Sequence, residues 1–157
     1  MGRVVVRGEV CVDASVAVKW VTPETLRATA LALLADWRNR KVQLVGPPFS
    51  FAEVDSILRR KAVLVRRPAT VPELAEQEAA DAFREMLGAP VTLVDLPGQR
   101  QRAWDLAIQF GFATVYDATY MALAELRNCE FWTADDKLFE RAGKQFPLMR
   151  HLADYHP

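Results

Sequence analysis

The sequence predicts an α/β fold with a central, mainly parallel sheet covered by helices on both faces. Three observations predict it. Short runs of β-branched and aromatic residues alternate with longer stretches whose apolar residues recur at helical spacing, the pattern of βαβ units. Gly, Pro and capping residues punctuate nearly every change of period. The chain has 157 residues, 51% hydrophobic and 25% charged, enough to bury a core without staples. One domain over residues 1–157 is expected, since no internal repeat or long linker divides it.

The elements follow in order. Val10-Cys11-Val12 reads as a short buried strand, with Val4-Val5-Val6 either its beginning or part of an extra N-terminal arm, residues 1–9. Thr22 as N-cap and Pro23 at the first helical position open a helix that ends near Arg40. Leu26, Ala30, Leu33, Leu34 and Trp37 recur on its buried face. Val42 to Val45 is a strand, broken by Gly46-Pro47-Pro48. Ser50 caps a helix running to about Val65, and Ser50 and Glu53 have capping-box spacing. Pro68 ends that stretch, and Pro68 to Pro72 is the candidate flexible joint. Thr70 and Glu73 form a second capping-box pattern, opening a helix that stops at Gly88. Val91 to Val94 is a strand, and Pro97-Gly98 starts a helix that finishes at Gly111. Tyr116 to Arg127 is helical, with Tyr120, Leu123, Ala124 and Leu126 apolar. Phe131-Trp132-Thr133 is a strand; Asp135 or Asp136 caps a short helix closed by Gly143; Pro147 to Leu152 is a last edge strand.

Composition excludes several functions. Lys plus Arg total 20 and Asp plus Glu total 20, so any nucleic-acid binding must come from a local patch. Cys11 and Cys129 are the only cysteines and no CxxC occurs, which argues against a disulfide framework or a thiolate zinc site. The only histidines, His151 and His156, lie in the C-terminal tail, and neither GxSxG nor HExxH is present. A serine or cysteine hydrolase would have to draw its base from that tail. No two glycines stand at G-x-G spacing and GK[ST] is missing, which removes the Rossmann fingerprint and the P-loop. No stretch approaches the ~20 apolar residues of a membrane span, and Met1 to Val6 is too short for a signal peptide. A cytosolic location is expected, with chemistry run on carboxylates, lysine or a metal held by oxygen.

Four acids stand near strand ends or helix starts, where parallel α/β sheets build their sites. Asp13 follows the first strand, Glu53 lies in the first turn after Pro47-Pro48, Asp117 opens the helix after Gly111, and Asp135 follows Thr133. Their wide separation excludes one local loop such as an EF-hand. Each also has a structural explanation: Asp13 and Asp135 as N-caps, Glu53 as capping-box partner of Ser50, Asp117 at the positive end of a helix dipole. Gathered together they need more, because two carboxylates ~4 Å apart repel by about 4 kcal/mol at an effective dielectric near 20. Such a cluster needs a cation or protons to persist, and oxygen ligands without His or Cys select Mg²⁺ or Mn²⁺ over zinc.

Val12-Asp13-Ala14-Ser15-Val16, Phe51-Ala52-Glu53-Val54, Tyr116-Asp117-Ala118-Thr119-Tyr120-Met121-Ala122-Leu123-Ala124 and Trp132-Thr133-Ala134-Asp135-Asp136-Lys137-Leu138 together resemble the PIN-domain family, most of all its VapC-type toxin ribonucleases. The resemblance covers nearly the whole chain in order. It implies a three-layer α/β/α sandwich, a divalent-metal endoribonuclease, a homodimer and a cognate antitoxin. By the same resemblance Asp13, Glu53, Asp117 and Asp135 match the family's acidic quartet, as catalytic and metal-binding residues. Ser15 and Thr133 match supporting hydroxyls, and Asp136 is a further supporting candidate. Mg²⁺ on Asp13 and Asp117 would polarise a phosphate oxygen and activate water, with Glu53 and Asp135 orienting that water or a second ion. The implied products are a 5′-phosphate and a 3′-hydroxyl.

RNA would need a basic path to such a pocket. Arg59, Arg60, Lys61, Arg66 and Arg67 form a run without acids, and Arg60 lies about two turns past Glu53 on the same helix face. Arg59, Arg60 and Lys61 are therefore candidates to guide phosphates; the other reading is a solvated helix end that complements the macrodipole. Trp20, Trp37, Trp104 and Trp132 either stack on bases or, the more ordinary role, pack in the core or an interface. Two other functions compete. A Mg²⁺-dependent phosphoacceptor signalling domain wants an early pair of adjacent acids, which Asp13 lacks, and a dehalogenase-type phosphatase wants Asp-x-Asp where Ser15 stands. A PIN-like scaffold that binds RNA or protein without cutting has no need of all four acids.

Overall fold

A computed structural model of the chain describes residues 8–63 and 72–157. The expectations for Val4 to Val6, Arg66, Arg67, Pro68 and Thr70 lie outside the described residues. Five strands, β1 (Glu9–Val12), β2 (Gln43–Gly46), β3 (Val91–Leu93), β4 (Glu130–Thr133) and β5 (Met149–His151), form one sheet of order β3-β2-β1-β4-β5. Every pairing is parallel. Among the described residues seven α-helices connect them: α1 (Ala14–Ala17), α2 (Arg27–Asn39), α3 (Ser50–Val63), α4 (Glu76–Met86), α5 (Gln99–Phe110), α6 (Tyr116–Arg127) and α7 (Asp136–Ala142).

Side-chain alternation along the strands makes the two cores. Val10, Val12, Leu44 and Trp132 point to one face and pack with α1 to α4. Cys11, Val45 and Phe131, their neighbours in sequence, point to the other and pack with α5 to α7. This partition follows from connection handedness. The chain winds from β1 through β2 to β3 in one direction, then returns across β1 to β4 and β5. Right-handed crossovers that reverse direction put their helices on the opposite face. The result is a three-layer α/β/α sandwich.

The local punctuation holds in several places. Gly98 (φ 81°) precedes α5 and Gly111 (φ 65°) terminates it, both in the left-handed region that glycine adopts without steric cost. Asp135 caps α7, accepting from the Leu138 N–H at 3.0 Å. Elsewhere a competing partner close in sequence overrides the expected cap. α2 begins at Arg27 and not at Pro23. The Thr22 hydroxyl lies 2.8 Å from both the Val18 carbonyl and Glu24 Oε2, so it turns back from the helix it was expected to cap. Ser50 opens α3, but its hydroxyl donates to the Pro47 carbonyl at 2.7 Å, and no capping box with Glu53 forms. α4 begins at Glu76, where the Ala75 N–H donates to Glu78 Oε2 at 2.7 Å.

Two further differences are smaller. Glu9 belongs to β1 and the Gly8 carbonyl accepts from the Gln43 N–H at 2.8 Å, so the sheet takes in the end of the expected N-terminal arm. Leu126, expected on the apolar face of α6, is 42% exposed. Cys11 and Cys129 are buried and free. Among the described residues no helix is long and apolar enough to cross a membrane.

Candidate active site

The strand order changes direction between β1 and β4, and such a switch point opens a crevice at the carboxyl ends of the two strands. Asp13 stands at that point. Its N–H donates to the Trp132 carbonyl at 2.9 Å, extending the ladder by one residue beyond β1. The side chain occupies the N-cap position of α1 but makes no capping bond, so the cap reading fails for this acid. Instead Oδ2 accepts from Ser15 Oγ at 2.8 Å and from Thr133 Oγ1 at 2.7 Å. Each hydroxyl is fixed from behind by a backbone donor: Ala134 N–H to Ser15 Oγ at 2.9 Å, and Asp135 N–H to Thr133 Oγ1 at 3.1 Å. Both hydroxyls therefore direct their single proton at the same oxygen of Asp13, from two different strand ends.

The other three acids face this one. Asp13 is only 5% exposed, and burial raises its carboxyl above the usual range. The Thr133 and Ser15 hydroxyls pull the other way, and the charge of Asp135 adds to the rise. Glu53, in the first turn of α3, is pushed up to about 7 by burial and then by the charges of Asp13 and Asp117. Asp117, in the first turn of α6, is pushed up to about 6 by burial and then by Asp13 and Asp135. Among the described residues Glu53 Oε1 is buried with no hydrogen bond of ordinary geometry, while the nearby Tyr120 hydroxyl favours the ionised carboxylate. These are carboxylates that repel one another at the mouth of one crevice. Among the described residues no three His, Cys, Asp or Glu side chains are drawn tightly enough together to form a ready-made ion site; the acids face one another at the range of repulsion. The donors they offer are all oxygen, which fits a hard divalent cation.

Three residues expected at the site are engaged elsewhere. Asp136 opens α7 with its side chain 82% exposed, 2.9 Å from His151 Nε2; it turns to β5 because Asp135 already holds the cap. Arg59 pairs with Glu76 of α4 at 2.7 Å. Lys61 is largely buried between Glu24 at 3.1 Å and Glu73 at 2.6 Å. Successive helical residues point about 100° apart, so only Arg60 of this run shares the face of Glu53. Arg60 and Glu53 line one cleft with Phe49, Ala52, Ser56 and Tyr116.

By helical spacing alone Tyr120 is an apolar position of α6. Among the described residues its buried hydroxyl makes no hydrogen bond of ordinary geometry; it lies close to Glu53 and Ser50, and its ionisation is pushed up by burial and then by Asp13 and Glu53. A phenol one turn after Asp117 is the signal that could have found it. Trp20, Trp37 and Trp132 are buried in the core, and Trp104 is exposed on α5.

Residues 10–145 match the PIN domain family model. The chain belongs to the PIN-domain family. Relatives agree with that assignment. The VapC ribonuclease Mb0985 of Mycobacterium bovis is 30% identical over 125 residues, covering 77% of this chain and 91% of the relative. Ribonuclease VapC9 of Mycobacterium tuberculosis matches with the same identity and coverage. Among solved structures, the Mycobacterium tuberculosis VapC20 toxin, described as cleaving the sarcin-ricin loop, superposes with a TM-score of 0.60. The identity there is 16%, over 87% of this chain and 95% of that one. PAE2754 from Pyrobaculum aerophilum superposes with a TM-score of 0.61 at 19% identity, covering 92% and 91% of the two chains. These two likenesses are of fold.

Proposed function

We propose that this PIN-domain chain is a divalent-metal-dependent endoribonuclease, the toxin of a VapBC-type pair, acting in the cytoplasm as a homodimer silenced by a cognate antitoxin. The observation that supports it most is the gathering of Asp13, Glu53 and Asp117 around the β1–β4 switch point, each carboxyl raised first by burial and then by the charge of a neighbouring acid, with Asp135 beside them. Such repulsion is relieved by a cation and is otherwise a cost. The kinship to VapC ribonucleases supports the substrate and the partner.

Asp13, Glu53, Asp117 and Asp135 would hold Mg²⁺ or Mn²⁺. When bound, the ion supplies Lewis-acid polarisation of the scissile phosphate and favours ionisation of an attacking water. The protein's own groups do the rest. Ser15 and Thr133 fix Asp13 through Oδ2, which holds this acid in one rotamer between two strand ends. Glu53 would orient the attacking water and accept its proton through the carboxylate oxygen that the ion leaves free. Attack of that water on phosphorus breaks the P–O3′ bond; the departing 3′-oxygen takes a proton from solvent, leaving a 5′-phosphate and a 3′-hydroxyl. A metal-titrated cleavage assay on structured RNAs, with the new ends sequenced, tests the proposal. Cleavage in Mg²⁺ or Mn²⁺ with 5′-phosphate ends supports it, and undiminished cleavage in EDTA contradicts it.

A further inference from the structure

The cleft between α3 and α6 is not used by the mechanism above, although Glu53 forms part of its wall. It measures about 440 Å³ and is lined by Phe49, Ala52, Glu53, Ser56, Arg60 and Tyr116. Two features mark it out. Tyr116 is 53% exposed, yet its ring is braced by an edge-to-face contact with Phe49 at 5.3 Å, and Phe49 makes a second such contact with Tyr120 at 5.6 Å. An exposed aromatic held in place loses little freedom when something stacks on it. Arg60 is close enough to temper the charge of Glu53, but among the described residues it has no ion pair. Residues 1–7 and 64–71 contain no Asp or Glu that could pair with it. Arg59 and Lys61, its neighbours on α3, are both paired.

We propose that this cleft binds one unpaired nucleotide of the RNA, its base stacked on Tyr116 and its phosphate held by Arg60. The proposal rests on the ribonuclease reading and adds to it a nucleotide subsite beside the acids, built on Tyr116 and Arg60. A planar base offers its face to a ring only when it is free of a duplex stack. The guanidinium supplies the matching charge, with a fork of donors suited to phosphate oxygens. Because Glu53 lines the cleft and also faces Asp13 and Asp117, a nucleotide there adjoins the phosphodiester presented to the acids.

Binding is measured with the full chain in EDTA, so that cutting and binding are separated, using a fluorescent single-stranded RNA oligonucleotide of random sequence and its duplex. The wild-type chain is expected to bind the single strand more tightly than the duplex. Tyr116→Leu, which keeps an apolar contact with Phe49, should weaken single-strand binding by about fivefold to a hundredfold, the range that loss of one base stack gives. Tyr116→Trp should restore or exceed wild-type binding, which a purely structural role would not allow. Arg60→Ala should weaken binding and reduce the salt slope by about 0.7. Equal binding by wild type and Tyr116→Leu, or equal affinity for duplex and single strand, overturns the proposal. No single-strand binding by the wild-type chain also overturns it and leaves the cleft to a protein partner. Cleavage in Mg²⁺ is scored separately, so a chain that binds through the cleft but does not cut refutes the ribonuclease reading alone.

Discussion

Replacing Glu53 by Gln tests the electrostatics of the acidic crevice while keeping its shape. Burial, then the charges of Asp13 and Asp117, hold the folded Glu53 carboxyl near 7, against an ordinary value of 4.5. Between those values the folded chain keeps a proton that the unfolded chain has lost. Stability therefore falls as pH rises through the window, and the full loss is in place above about 7. A displacement from 4.5 to about 7 corresponds to ~3 kcal/mol at most. Glu53 is only half-buried, so water screens the repulsion and ~1–2 kcal/mol is the expected loss. Gln carries no charge to bring into the crevice. In EDTA, Glu53→Gln should match the wild-type chain closely near pH 5 and melt ~3–6 °C above it near pH 8, the shift that ~1–2 kcal/mol gives in a domain of this size. Thermal unfolding followed by circular dichroism across that range reads the gap. Adding Mg²⁺ at the higher pH should then raise the wild-type melting temperature more than that of the variant. A gap that does not change with pH, or a variant less stable than wild type at the higher pH, refutes the reasoning.

Other predictions address the metal, the hydroxyl pair and the basic run. EDTA should abolish RNA cleavage, and either Mg²⁺ or Mn²⁺ should restore it, because the donors are oxygen alone; persistence of cutting in chelator counts against the site. Thr133→Val removes the 2.7 Å donor to Asp13 Oδ2 inside the fold. It should cost ~1–3 kcal/mol in a denaturant titration and lower cleavage, since the carboxylate loses a fixed partner. Lys61→Met breaks the pairing with Glu24 and Glu73. It should lower stability yet leave the salt dependence of RNA binding unchanged, in contrast to Arg60→Ala; a changed salt slope would return Lys61 to the RNA path.

Much of the fold is legible because its signals are local. The bounds of α6, Tyr116 and Arg127, follow from period alone, and Gly98 and Gly111 mark α5 by backbone conformations that glycine favours. The acids are legible as a set because parallel sheets put strand ends at one rim, and all four stand near strand ends or helix starts. What the sequence does not reveal is which of several candidate partners each polar group takes. Thr22 has the look of a cap, but Val18 and Glu24 claim its hydroxyl. Ser50 and Glu53 have capping-box spacing, but Pro47 takes the Ser50 hydroxyl, so Glu53 is left for the crevice. Arg59 and Lys61 look like part of a basic patch until Glu24, Glu73 and Glu76 are brought against them. Tyr120 looks like core until its hydroxyl is found buried beside Asp13 and Glu53. In each case the deciding partner comes from a neighbouring loop, helix or strand end that periodicity does not report.

The central claim is that the acids at the β1–β4 switch point cut RNA through a bound cation, and Asp13→Asn tests it most directly. Asn keeps an oxygen that can accept from Ser15 and Thr133 and removes only the charge. The measurement is cleavage of structured RNA by the purified chain in Mg²⁺, taken together with its melting temperature in EDTA. The account predicts that cleavage falls by orders of magnitude while the melting temperature holds or rises, because buried repulsion is relieved. Wild-type cleavage by a folded Asp13→Asn chain would contradict it.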